Sequence, residues 1–144
     1  MERSILIKSY IIKELLSKLQ SDKLGSIEAL NATKSLAHSK EFIAESKWDT
    51  RGIEAGYLAG AQEKRIKELD IEIHSLNKVL KYLKESTELG IGSLVWTDSK
   101  NYFITPLTGG IDIETQVGIF KVISHKSPLF KKLIEDEIEV INIE

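Results

Sequence analysis

Six aliphatic residues in the middle of the chain set the strongest constraint on its fold. Ile66, Leu69, Ile73, Leu76, Leu80 and Leu83 follow one another at steps of 3, 4, 3, 4 and 3. That is a heptad seam, a spacing that keeps one apolar stripe on one side of a helix and never fits the alternation of a strand. Lys64, Arg65, Lys67, Glu68, Asp70, Glu72, Lys78, Lys81 and Lys84 fall between or beside these positions and form a solvated, mixed-charge face. A lone apolar stripe is not stable in water, so the seam needs a partner. Ile5, Leu6, Ile7, Tyr10, Ile11, Ile12, Leu15, Leu16 and Leu19 supply a rich apolar band. Leu24, Ile27, Leu30, Leu36, Ala37, Phe42 and Ile43 continue it more loosely. The only prolines of the 144 residues are Pro106 and Pro128. An interior proline costs a helix about 3 kcal/mol, so the long proline-free stretch leaves room for two extended helical arms.

The economical arrangement is an antiparallel coiled-coil hairpin over residues 1–88, with its tip near residues 46–56. A second arm from residue 55 to 88 spans roughly 50 Å at the helical rise. The alternative is a compact three-helix bundle. It requires a break at Gly25, a residue that costs about 1 kcal/mol against alanine inside a helix.

Residues 89–144 change period and predict a small antiparallel β domain with one short helix, so the fold class is α+β. Ser93–Trp96 reads as a strand, 97–100 as a turn, and Tyr102-Phe103-Ile104 as the return strand. Pro106 and the Gly109-Gly110 pair interrupt the chain before a new alternation at Ile111 and Ile113. Residues 119–123 give a third clear strand, and Ile138, Val140, Ile141 and Ile143 a last one. Ser127 is placed to cap a short helix with Pro128 at its first position, where a missing N–H costs nothing. Leu129, Phe130, Leu133 and Ile134 are expected to face the sheet. About 55 residues make a small core, so the sheet is expected to lean on the base of the hairpin.

The charge balance narrows the function classes. Twenty basic and 22 acidic residues leave a net charge of -2. A chain that grips nucleic acid by its phosphates carries a basic excess. The absence of cysteine excludes disulfides, thiol nucleophiles and cysteine-ligated zinc. Lys8 and Lys13 interrupt the apolar N-terminal residues, which makes a poor export signal, and no stretch approaches a membrane span. A cytoplasmic location with no membrane partner is the expectation. His38, His74 and His125 stand singly, with no metal-ligand spacing.

Candidate chemistry gathers between residues 45 and 60. Glu45, Asp49 and Glu54 form a carboxylate set of the kind that binds Mg²⁺ through oxygen. The simpler reading is that Asp49 or Thr50 caps the second helix, and the two readings are compatible. Gly52, Gly56 and Gly60 recur every fourth residue and predict close packing of the two arms near the turn. Trp48, Ile53 and Tyr57 add bulk that either docks a partner or staples the turn.

The run Lys47-Trp48-Asp49-Thr50-Arg51-Gly52-Ile53-Glu54-Ala55-Gly56-Tyr57-Leu58-Ala59, followed by Gln62 and Arg65, resembles the hairpin tip of the Gre family of transcription factors. It resembles more closely the shorter Gre-like bacterial proteins with a Lys-Tyr-Asp-Thr-Arg pattern there. Gly92-Ser93-Leu94-Val95 resembles the family's opening strand. Ile123, Ser127-Pro128-Leu129, Leu133 and the strand from Ile138 resemble its later elements. The likeness runs over nearly the whole chain in the correct order.

The resemblance implies a coiled-coil hairpin joined to a small FKBP-like domain. It implies RNA polymerase as partner, with the globular domain at the rim of the secondary channel and the hairpin reaching inward. It also implies Mg²⁺ shared with the polymerase active site and not bound by this chain alone. Asp49 is then the principal metal-facing acid and Glu54 the second, while Trp48, Arg51 and Tyr57 support or dock the tip. The nascent RNA 3′ end is met only indirectly, and the chain acts as a monomeric accessory factor without enzymatic activity of its own. The family's cleavage factors carry acids three residues apart; here Ile53 and Gly56 stand near those positions. Three expectations follow: stimulated cleavage of backtracked RNA, channel occupancy without cleavage, or a structural adaptor whose seam pairs with a second chain. FKBP-like prolyl isomerase activity is not expected, because the domain has about half the usual length and its aromatics read as core.

Overall fold

A computed structural model describes residues 2–43 and 51–144. The elements run α1 (Glu2–Ile43), α2 (Arg51–Lys81), β1 (Leu94–Thr97), β2 (Asn101–Thr105), β3 (Ile111–Thr115), β4 (Gly118–Ser124), α3 (Pro128–Ile134) and β5 (Val140–Ile143). The protein is α+β. Two compact units divide it: Met1–Ser17 with Glu72–Glu144, and Lys18–Ile71. No helix among the described residues is long and apolar enough to cross a membrane.

α1 passes through Gly25 without a break, which rules out the extra helix of the three-helix alternative. A Cβ at Gly25 would meet nothing within 4 Å, so the glycine is there without a steric demand. α2 ends at Lys81, earlier than the heptad spacing suggests. Leu83 lies in the irregular link that follows. That link is held by Ser93, whose hydroxyl donates to the Glu88 carbonyl (2.8 Å) and accepts from the Gly90 N–H (3.2 Å). The seam residues Leu69 and Leu76 are fully buried within the single chain.

In the first unit the five strands form one sheet in the order β3-β4-β2-β1-β5. β1 pairs antiparallel with β2 and with β5, and β3 pairs antiparallel with β4. β2 and β4 run parallel, with Phe103 opposite Val122 and Ile104 opposite Ile123. The sheet is therefore mixed and not antiparallel as the sequence suggests. Alternation reveals a strand and its two faces but says nothing about its neighbours. β3 reverses direction after β2 yet stands one strand further out, a gap of about 10 Å, and β4 fills it.

Residues 106–110 span that gap and are pinned to the end of β4. The Gly110 N–H donates to the Val122 carbonyl (2.9 Å), and the Ser124 hydroxyl donates to the Pro106 carbonyl (3.1 Å). His125 Nδ1 also lies 3.0 Å from that carbonyl, which gives this lone histidine a structural place. A Cβ at Gly109 would stand 3.1 Å from the Ser124 nitrogen, backbone against backbone, so only glycine fits without a shift.

The register separates the faces. Val95, Tyr102, Ile104 and Ile123 share one face and form a core with Phe130 and Leu133 of α3. Leu94, Phe103, Val122 and Phe120 occupy the opposite face and are fully buried. There Trp96 and Phe120 meet edge to face at 5.5 Å across the intervening Asn101. Arg3, Ser4 and Ile7 of α1 line one cavity with Trp96, Thr97 and Ile141, which sets the start of α1 beside this end of the sheet. α3 begins as the sequence suggests, with the Ser127 hydroxyl accepting from the Phe130 N–H (3.3 Å) and Pro128 at the first turn. Ile134 departs from expectation: it sits at the last position of this short helix and is 56% exposed.

Lys8 is the one buried lysine among the described side chains of α1. Its side chain is fully buried, and Nζ donates to the Lys84 carbonyl at 2.9 Å. Burial pushes its pKa below the ordinary 10.5, while the nearby Glu144 charge works the other way.

Ser127→Ala removes the only side-chain partner of the Phe130 N–H and is expected to cost about 1 kcal/mol. Urea unfolding checks this as a lower midpoint with an unchanged slope.

Candidate functional site

The second unit holds the candidate site at its α2 start. Lys23 pairs with Asp70 (2.5 Å) and Lys34 with Glu63 (2.9 Å). Residue numbers rise along α1 as they fall along α2, so the two helices run antiparallel in this unit. Among its described residues Leu19, Leu30, Thr33 and Leu69 are buried. The Thr33 hydroxyl donates back to the Ala29 carbonyl (2.9 Å), satisfying itself within the helix.

Ser21, Asp22, Gly25, Ser26, Ala29, Ala61, Gln62 and Arg65 line an open groove between the helices. The Gln62 carbonyl oxygen is buried there without a hydrogen-bond partner. Gly56 and Gly60 do not provide the close packing their spacing suggests. A Cβ at either would meet nothing within 4 Å among the described residues.

Glu54 lies in the first turn of α2, where the helix N-terminus favours a negative charge. Tyr57 and Leu58 follow at three and four residues and so share its face. All three are exposed, Tyr57 by 78%. The structure thus brings Glu54 and Tyr57 onto one surface. Arg51 is the first residue of α2. Glu45, Trp48 and Asp49 lie outside the described residues.

Among the described residues no cluster of three or more histidine, aspartate or glutamate side chains is set to hold a metal. Glu54 offers one carboxylate. Mg²⁺ is commonly bound by only one or two carboxylates with its remaining positions taken from water, so a single carboxylate such as Glu54 is compatible with one ligand position. Leu58 was not legible as part of this surface, because a leucine beside a heptad seam reads as core. Comparison of the sequence with protein-family models and with curated proteins gives no match.

The Lys34–Glu63 pair carries a pH signature. Its hydrogen bond and charge hold the Glu63 carboxyl below the ordinary 4.5. A carboxylate with a lowered native pKa stabilises the fold above the unfolded value and loses that contribution as pH falls through the native value. Glu63→Gln should therefore lower thermal stability slightly at pH 7. The difference from wild type should shrink as pH falls below the ordinary carboxylate range and also in high salt, as paired melting curves will show.

Proposed function

We propose that this chain is a Gre-like regulator of bacterial RNA polymerase. In this reading α1 and α2 form a coiled-coil hairpin that enters the secondary channel, and the mixed sheet with α3 is an FKBP-like domain that docks at its rim. The observation that carries the reading is the exposed face of Glu54, Tyr57 and Leu58 at the start of α2. It follows directly on the Trp48-Asp49-Thr50-Arg51 run that resembles the family tip. Exposed aromatic and aliphatic side chains at the end of a helical pair suit insertion against a protein wall. An acid beside them suits a metal site completed by the partner. The near-neutral charge also suits a protein channel better than bare nucleic acid.

Mg²⁺ held in the polymerase would supply Lewis-acid activation of the attacking water. Asp49 and Glu54 would add carboxylate ligands or orient that water. Trp48, Arg51 and Tyr57 would hold the tip in place.

A second reading keeps the polymerase and drops cleavage. It is favoured by Ile53 and Gly56, which stand where the family's cleavage factors carry acids. The chain would then occupy the channel and compete with true cleavage factors. The adaptor reading loses ground, because Leu69 and Leu76 are already buried within one chain and leave no free seam there.

Stalled, backtracked elongation complexes discriminate these readings. Wild type should be retained by polymerase and stimulate RNA cleavage, with Asp49→Ala and Glu54→Ala each slowing it at least about tenfold. Equal and negligible cleavage by all three, together with inhibited synthesis, establishes the second reading. Absence of retention by polymerase overturns both.

A further inference from the structure

β3 is an edge strand, and its outer side is open. It pairs only with β4, and no backbone hydrogen bond of residues 111–115 leaves that ladder among the described residues. An edge strand presents a row of unpaired N–H and C=O groups that another extended chain can meet. The side chains of β3 alternate cleanly. Ile111 and Ile113 are half-buried on one face, while Asp112 and Glu114 are exposed on the other. Neither acid takes part in an ion pair or hydrogen bond among the described residues. Lys121 stands opposite Asp112 on the inner side, in β4, and Arg3 of α1 lies across the cavity from Glu114.

The C-terminal end of β3 opens into a half-open cavity of about 660 Å³. Glu114, Thr115, Gln116 and Val117 form one wall, and Arg3, Leu6, Ile7 and Tyr10 of α1 the other. Leu6 is 69% exposed and Tyr10 is 48% exposed, although both belong to a band that reads as core. A strand laid along β3 would place alternate side chains beside Ile111 and Ile113 and others beside the two acids. A side chain at its end would enter the cavity.

We propose that the outer edge of β3 is a β-augmentation site for an extended peptide segment of a partner protein in which basic and apolar residues alternate. The backbone ladder supplies affinity, and Asp112, Glu114 and the Leu6–Tyr10 cavity supply selection. A second copy of this chain is the wrong occupant. Pairing β3 with itself sets acids against acids, and the other open edge, β5, is flanked by Glu139 and Glu144. The site does not depend on the polymerase reading.

The test uses the full chain and a Lys-Val-Lys-Val-Lys-Val peptide, with the Glu-Val counterpart as control. The basic peptide should bind and slow amide exchange at residues 111–115, and the acidic peptide should not bind. The double substitution Asp112→Lys with Glu114→Lys should weaken the basic peptide about tenfold or more and admit the acidic one, a gain that an unfolded variant cannot show. Tyr10→Ala, on the separate α1 wall, should weaken the basic peptide by a smaller factor. Binding of the basic peptide that survives the charge reversal overturns the proposal. So does binding that leaves exchange at 111–115 unchanged, or self-association of the protein that protects those amides.

Discussion

A single buried ammonium ties together parts of the chain that are far apart in sequence. Lys8 comes from the second turn of α1, its hydrogen-bond acceptor from the link after α2, and its neighbouring charge from Glu144 beyond β5. A fully buried charge without partners is costly, so the arrangement holds only while all three segments meet. The helix start, the end of α2 and the last strand are thereby fixed in one register. The cavities beside Arg3 and Ile7, and the place of Leu6 and Tyr10 next to the β3–β4 turn, follow from that register.

The sheet depends on a second constraint, the insertion of β4 between β2 and β3. Thr105, Pro106 and Gly109 lie at the mouth of the gap, and their contacts with Ser124 and His125 close it. Local patterning made each strand legible, because the Ile, Val and Phe positions alternate. It did not make the parallel β2–β4 pair legible, because two strands with the same alternation serve equally well in either direction. The cap at Ser127 was legible from a short motif with a local mechanism. Ile134 was not, because its exposure is decided by where α3 stops and not by its own chemistry.

The helical pair shows the same division. The heptad from Ile66 to Leu80 was readable since it repeats over several turns, and Leu69 and Leu76 are the residues it buries most deeply. Gly25, Gly56 and Gly60 were misleading. Spacing alone cannot distinguish a glycine that admits a neighbouring helix from one that faces open space. Of the candidate site, Glu54 and Tyr57 could be placed on one face from their separation. Asp49 and Trp48 lie outside the described residues. Leu6 and Tyr10 face outward although they belong to the apolar band, because a band wider than one stripe leaves unspecified which of its members do so.

The first compact unit draws on both ends of the chain, Met1–Ser17 and Glu72–Glu144, with the whole second unit inserted between them. During synthesis the inserted unit is complete once residue 71 has emerged, while the first 17 residues still lack their sheet. Those residues include the buried Ile11, Ile12 and Leu15, while the remainder of their unit, from Glu72 on, is made later. Contacts of such wide separation are slow to form, and the waiting surface is exposed meanwhile. This topology therefore places the closing contacts of the first unit late in synthesis, with β5 the last strand to arrive.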